Sequence, residues 1–160
     1  MLNATNLLVA EPSQHMASLI ATMLRSIGVH SIAIVNDGPA TLTALQHTSY
    51  AALIVSDWLG PVDGIGIVRI IRAAEPADRC LPIVMVFSEA SRSRIEAARD
   101  AGVTEFVRKP LSAAILEARL AQAIERPRPV IRGESYAGPD RRRHANGVGS
   151  RRRADDPTVA

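Results

Sequence analysis

Four side chains suited to phosphoryl chemistry stand just past four short apolar runs. Glu11 follows "NLLVA", Asp57 follows "AALIV" and a serine, Ser88 follows "PIVMVF", and Lys109 follows "TEFV" and an arginine. A carboxylate that accepts a phosphoryl group needs a divalent cation to neutralise the incoming charge, a hydroxyl for a phosphate oxygen and a cation for the charge that remains. All four parts are present. Taken singly each has a plainer reading: Ser88 would cap a helix starting near Glu89, Lys109 would be a solvated charge, and Asp57 a carboxylate that never turns over. Their joint placement at run ends lifts them above those readings.

A second group of residues lies near the end of the chain. "GPDRRRHANGVGSRRRADD" holds two arginine triplets, Arg141 to Arg143 and Arg151 to Arg153, joined by a pliable bridge and flanked by Asp140, Asp155 and Asp156. A guanidinium is planar, pairs with phosphate through two parallel donors, forks onto guanine O6 and N7 and stacks on rings. Arg152 and Asp155 are three positions apart, as are Arg153 and Asp156. That spacing lets an arginine take one edge of a guanine while a carboxylate accepts from N1 and N2. A plain polyanion-binding arm gains nothing from those acids. Tyr136 is the only aromatic residue after residue 126, which argues against a base-stacking platform for single-stranded nucleic acid.

These groups need elements to position them. Met16, Leu19, Ile20, Met23, Leu24 and Ile27 recur at helical spacing up to Gly28, and "SIAIV" (31–35) follows as a second short apolar run. Pro39 marks a helix start, and further helices are expected near 64–74, 90–101 and 111–126. Five strands alternating with five helices imply a doubly wound α/β fold, a five-stranded parallel sheet covered on both faces. In such sheets ligands bind outside the carboxyl ends of the strands, where the strand order reverses.

Charge divides the chain. Residues 1–126 carry eleven basic and twelve acidic side chains, a net −1, whereas 127–160 carry eight arginines against four acids, a net +4, which together give the +3 of the whole. The tail therefore carries the field that attracts phosphates or acidic surfaces. Lys109 is the sole lysine, so arginine in the tail is not by itself a signal. Cys80 stands alone, and His15, His30, His47 and His144 lack metal-ligand spacing. No stretch reads as a membrane span or signal peptide, so the chain is expected to be cytoplasmic. "RPRP" after Glu125 breaks the helical pattern. The polar segment beyond it is expected to stay disordered until a partner orders it. Two units follow, a folded body over 1–126 and an arginine-rich tail over 127–160.

The stretches "LLVAEP", "LIVSDWLGPVDG", "VMVFSEA" and "FVRKP" resemble, in order and spacing, the receiver domain of two-component response regulators, the CheY-like fold. The resemblance implies that Asp57 is the phosphoacceptor, Ser88 the switch hydroxyl, Lys109 the phosphate-sensing cation and Phe106 the rotating switch aromatic. It implies a histidine kinase as phosphodonor, Mg2+ held by Glu11 and Asp57, and a signalling module rather than an enzyme. One position departs from the family: two adjacent acids usually follow the first strand, and here Glu11 is followed by Pro12. Proline offers no side-chain oxygen, so magnesium binding and phosphorylation are expected to be weaker than with two aspartates. The tail, "YAGPDRRR" above all, is similar to that of the CheY-like cyclic di-GMP effectors, the Cle proteins. That likeness implies cyclic di-GMP bound by Tyr136, Asp140, Arg141, Arg142, Arg143, Arg151, Arg152, Arg153, Asp155 and Asp156. It also implies that the tail orders against the face around Phe106, and that the loaded protein acts on the flagellar motor switch protein at the flagellar pole. A single-domain phosphotransfer response regulator or phosphate sink with an idle tail, and a nucleic-acid-binding arm, are the alternatives.

Overall fold

The computed structural model describes residues 2–76, 80–133 and 136–141. In chain order the elements are β1 (Asn6–Ala10), α1 (Gln14–Ser26), β2 (Ser31–Val35), α2 (Gly38–His47), β3 (Ala52–Ser56), β4 (Trp58–Leu59), β5 (Val62–Asp63), α3 (Gly64–Ala74), β6 (Ile83–Phe87), α4 (Arg92–Ala101), β7 (Glu105–Arg108), α5 (Ala113–Glu125), β8 (Val130–Gly133) and β9 (Tyr136–Pro139). Five of the strands form one parallel sheet in the order β2-β1-β3-β6-β7. The order reverses between β1 and β3, as expected for a doubly wound sheet.

Side chains alternate across each strand, so every central strand feeds two cores. Leu8, Ala10, Leu53, Val55, Ile83, Met85 and Phe87 face one way, onto Ile65, Val68 and Ile71 of α3 and Ala98 and Ala101 of α4. Leu7, Val9, Ala52, Ile54, Val84 and Val86 face the other way, onto Ile20 and Leu24 of α1 and Leu116, Leu120 and Ala123 of α5. β3 and β6 are buried along their whole length, which is why they read as unbroken apolar runs.

The helices begin where short polar side chains accept backbone N–H groups: Ser13 from Met16, Asp37 from Ala40, Asp63 from Ile65, Ser91 from Arg94 and Ser112 from Ile115. The cap of α4 is therefore Ser91, and Ser88 lies three residues before it, so the capping alternative for Ser88 does not hold. Gly102 ends α4 in the left-handed region at φ 106°.

Two small features depart from the expectation. The stretch after Asp57 is a tight antiparallel hairpin in which Trp58 pairs with Asp63 and Leu59 with Val62 around Gly60 at φ 71°. The second is larger. Residues after Arg126, expected to lack structure, include an antiparallel hairpin in which Ile131 pairs with Gly138 and Arg132 with Ala137. The body supplies it with partners that the segment lacks by itself. Gly138 and Pro139 are buried, a Cβ on Gly138 would come within 3.4 Å of Gly102 Cα, and Arg128 reaches a buried carboxylate of β7 at 3.1 Å. Residues 142–160, which include the second arginine triplet, lie outside the described residues.

Candidate functional site

The sheet order places Glu11 past β1, Asp57 past β3, Ser88 past β6 and Lys109 past β7, on four neighbouring strands at one edge. Backbone ladders continue into that edge. Glu11 N–H donates to Val35 O at 3.0 Å, Asp57 N–H to Val86 O at 3.0 Å and Lys109 N–H to Phe87 O at 2.9 Å. All four expected residues are thus collected at the carboxyl ends of the strands, beside the reversal of strand order.

Glu11 and Asp57 are both buried, each 3 % exposed. Glu11 Oε1 accepts from Ser13 N–H at 3.1 Å. Among the described residues, Glu11 Oε2 and Asp57 Oδ1 are buried oxygens with no hydrogen-bond partner. A buried carboxylate oxygen left bare is costly, so a ligand that covers both is favoured. The pair suits a hard cation that takes oxygen ligands and keeps several waters, which is how Mg2+ binds. No three His, Cys, Asp or Glu side chains gather as a metal cluster among the described residues, so a cation here rests on these two carboxylates. Pro12 is exposed and adds no oxygen.

Ser88 is exposed and Lys109 half-buried, ahead of a cis peptide bond to Pro110. Phe106 is half-buried on β7 and packs against the ring of Phe87, centroids 6.0 Å apart and planes tilted by 41°. It belongs to the rim of the core that faces α3 and α4.

Sequence reasoning missed one residue at this edge. Arg94, in the first turn of α4, extends its guanidinium over the site. Nη1 donates to Asp63 Oδ2 at 2.9 Å, while Nη2 donates to Asp63 Oδ1 and to the Asp57 carbonyl, both at 3.1 Å. Nη2 also lies 3.6 Å from Asp57 Oδ2, and the guanidinium sits 5.2 Å from the centre of the Trp58 ring. Burial pushes the Asp63 carboxyl up, but the hydrogen bonds from Arg94 and from Ile65 N–H and the charge of Arg94 outweigh it and hold the carboxyl below the ordinary aspartate range. The same bond to Asp63 raises the Arg94 guanidinium above its usual value. Nothing in "SRSRIEAARD" singles out Arg94 from Arg92, because only the rotation of α4 decides which one turns inward. Arg92 pairs instead with Glu96 on the exposed face, at 3.0 Å.

Gly64 is the backbone support of this edge. Its N–H donates to the Asp57 carbonyl at 2.9 Å, and a Cβ there would lie 2.1 Å from the Ser56 carbonyl oxygen and 3.1 Å from Asp57 C and O. Gly64→Ala must push back the strand end that carries Asp57 and is expected to cost about 1–3 kcal/mol. Gly66 in the same helix has no atom within 4 Å of such a Cβ, so Gly66→Ala is expected to be neutral or slightly stabilising. Thermal unfolding of the two variants checks this: equal melting temperatures would refute the steric account.

Of the expected tail residues, three are described. Tyr136 is half-buried, and its hydroxyl donates to Pro139 O at 2.6 Å; burial raises its pKa above the ordinary phenol value. The Arg141 guanidinium lies over the Tyr136 ring at 4.6 Å and pairs with Asp100 at the end of α4, at 2.7 Å. Asp140 N–H donates to Pro129 O at 2.8 Å, closing the hairpin. The hairpin sits at the amino ends of β6 and β7, the opposite edge of the sheet from Asp57, and Arg141 meets α4. The described contacts of β9 with the body fall on α3 and α4, and none of them involves Phe106. Arg142, Arg143, Arg151, Arg152, Arg153, Asp155 and Asp156 lie outside the described residues.

A five-stranded parallel sheet in this order, with Glu11 and Asp57 at its switch point, is the doubly wound arrangement of receiver domains. The family model described as "response regulator receiver domain" matches residues 7–121, and the chain belongs to that family. It is 34 % identical over 121 residues to "Chemotaxis protein CheY" of Pseudomonas aeruginosa, covering 75 % of this chain and 96 % of that protein. It is 31 % identical to "Chemotaxis protein CheY-3" of Vibrio cholerae, covering 75 % and 92 %. Among solved structures, the receiver domain of the sensor histidine kinase PA1611 from Pseudomonas aeruginosa superposes with a TM-score of 0.68 at 28 % identity, over 76 % of this chain and 98 % of that one. That structure carries a magnesium ion coordinated in its active-site cleft. Among the described residues of the present chain no helix is long and apolar enough to cross a membrane.

Proposed function

We propose that this chain is a signalling receiver, not an enzyme, that reads two inputs: a phosphoryl group at Asp57 and cyclic di-GMP at the arginine-rich tail. A carboxylate oxygen of Asp57 attacks the phosphorus of a phosphohistidine or small phosphodonor, the bond to the donor breaks, and an acyl phosphate forms. Ser88 and Lys109 then meet the oxygens of the new group, and Phe106 repacks beside Phe87. Mg2+, held by Glu11 and Asp57, would supply charge neutralisation at that edge. The observation that carries this half is the pair of bare, buried oxygens on Glu11 and Asp57. The proposed output is docking on the flagellar motor switch protein, the class of target that a chemotaxis-type receiver addresses.

The cyclic di-GMP half rests on the Arg-x-x-Asp spacing at Arg152 and Asp155 and at Arg153 and Asp156. It is supported by the hairpin, which anchors the start of the first triplet through Arg141 on Tyr136 and Asp100. A calorimetric titration of the full chain with cyclic di-GMP, cyclic di-AMP, GTP and an oligonucleotide tests it. Asp155→Ala and Asp156→Ala should each weaken cyclic di-GMP by about 5- to 150-fold, the loss of one base-edge contact worth roughly 1–3 kcal/mol. A charge-only arm has the opposite sign, since removing an acid makes the tail more positive. Tighter cyclic di-GMP binding in these variants, or equal binding of all four ligands, would exclude guanine reading.

A further inference from the structure

Two carboxylates, on Asp57 and Asp63, meet one guanidinium at this edge of the sheet, that of Arg94. Its guanidinium bonds to both oxygens of Asp63 and to the Asp57 carbonyl, which leaves it 3.6 Å from Asp57 Oδ2. The other oxygen of the same carboxylate, Oδ1, is buried and bare, as is Glu11 Oε2. A cation held at Oδ1 and the guanidinium near Oδ2 would therefore share one carboxylate, and their like charges would repel. Pro12, standing where the family usually has a second acid, adds no carboxylate to offset that repulsion.

When Asp57 carries a phosphoryl group or its mimic, the charge changes place. The carboxylate becomes an acyl group without formal charge, and the negative charge moves outward onto the three terminal oxygens of the phosphoryl group. A guanidinium has five donors in a planar fork that matches such oxygens. Arg94 is partly exposed, at 26 %, on a side chain long enough to follow the charge.

We propose that Arg94 is a charge-exchanging residue of the acceptor site: it pairs with Asp57 in the resting protein, weakening divalent-metal binding there, and transfers its fork to the oxygens of a phosphoryl-type anion once that anion is on Asp57. This deepens the reading of Asp57 as acceptor and rests on it. The consequence is a pair of effects with opposite signs. Removing the arginine should tighten the metal and loosen the anion.

The test uses the full chain, with Mn2+ binding followed by the paramagnetic resonance of the free ion and fluoroberyllate binding followed by 19F NMR at saturating Mg2+. Arg94→Ala is expected to bind Mn2+ roughly tenfold more tightly and fluoroberyllate roughly tenfold more weakly, each about one pK unit of charge interaction. Arg94→Lys keeps the charge and loses the fork, so its Mn2+ affinity should stay within about twofold of the original while fluoroberyllate weakens. Unchanged Mn2+ affinity in Arg94→Ala, or fluoroberyllate bound equally by all three proteins, overturns the proposal. If the original protein takes up no fluoroberyllate although Mn2+ binds, the reading of Asp57 as acceptor fails, and the transfer role of Arg94 fails with it. A structural role alone would weaken both ligands together.

Discussion

Asp57→Asn will remove labelling of this chain by acetyl phosphate, and Pro12→Asp will raise it. Asparagine matches aspartate in shape but offers an amide, whose neutral oxygen does not displace a leaving group from phosphorus at neutral pH. Labelling in Asp57→Asn should therefore fall below detection in intact-mass measurement, whereas the fold survives because the exchange keeps the volume of a site that is 3 % exposed. The effect of Pro12 has a different origin. Glu11 and Asp57 together offer two buried bare oxygens to a cation, and position 12 points nothing at it. An added aspartate contributes charge and a hydrogen-bond acceptor for metal-bound water. Groups that orient such water change metal affinity by about 10- to 100-fold, and a gain in that range is expected in Mg2+ affinity and in labelling at limiting Mg2+. Efficient labelling of the unmodified chain, with Pro12→Asp no better, would show that the second carboxylate is dispensable here.

The central elements were legible because burial on both faces forces continuous apolar runs. β1 matches the run at 6–10, and β3 and β6 lie within one residue of the runs at 51–55 and 82–87. The acceptor edge was legible for a related reason. Each of its residues comes immediately after a run, so strand order alone gathers Glu11, Asp57, Ser88 and Lys109, whatever the helices do. Arg94 was not legible, since its place depends on the rotation of α4 about its axis and not on order. The β8–β9 hairpin was hidden for a third reason. Composition judges whether a segment can bury enough surface by itself, and "VIRGESYAGP" cannot. The body supplies what it lacks: Asp100 for Arg141, Gly102 for Gly138 and a carboxylate of β7 for Arg128.

That carboxylate is Glu105, and its loss is expected to have the largest effect on stability of any single side chain in the hairpin contact. Glu105 is 1 % exposed at the start of β7. Its Oε2 accepts from Arg119 of α5 at 3.3 Å and its Oε1 from Arg128 at 3.1 Å, while Arg128 also donates to the Asp140 carbonyl at 3.4 Å. One buried group thus ties α5, the sheet and the hairpin together. Glu105→Ala leaves two cations without that anion, but they do not suffer equally. Arg119 is 41 % exposed and can turn to water, whereas Arg128, at 14 %, is held under the hairpin. Breaking a fully buried pair costs about 3–5 kcal/mol, and discounting for the exposed partner gives about 2–3 kcal/mol here. In a chain of this size that lowers the melting temperature by roughly 4–12 °C. Arg119→Ala should cost about 1 kcal/mol or less, as exposed pairs do. The two variants also separate in where they loosen the protein. Glu105→Ala should speed hydrogen exchange at the amides of 136–138 and at Asp140, whose N–H closes the hairpin on Pro129, while Arg119→Ala leaves those amides protected. If Glu105→Ala melts like the original protein and keeps these amides slow, then apolar contact of Gly138 and Pro139 holds the hairpin. If exchange rises as expected, the arginine-rich tail hangs from the receiver by a buried ion pair, and cyclic di-GMP affinity in Glu105→Ala should fall with it, because Arg141 then leaves its fixed place on Tyr136.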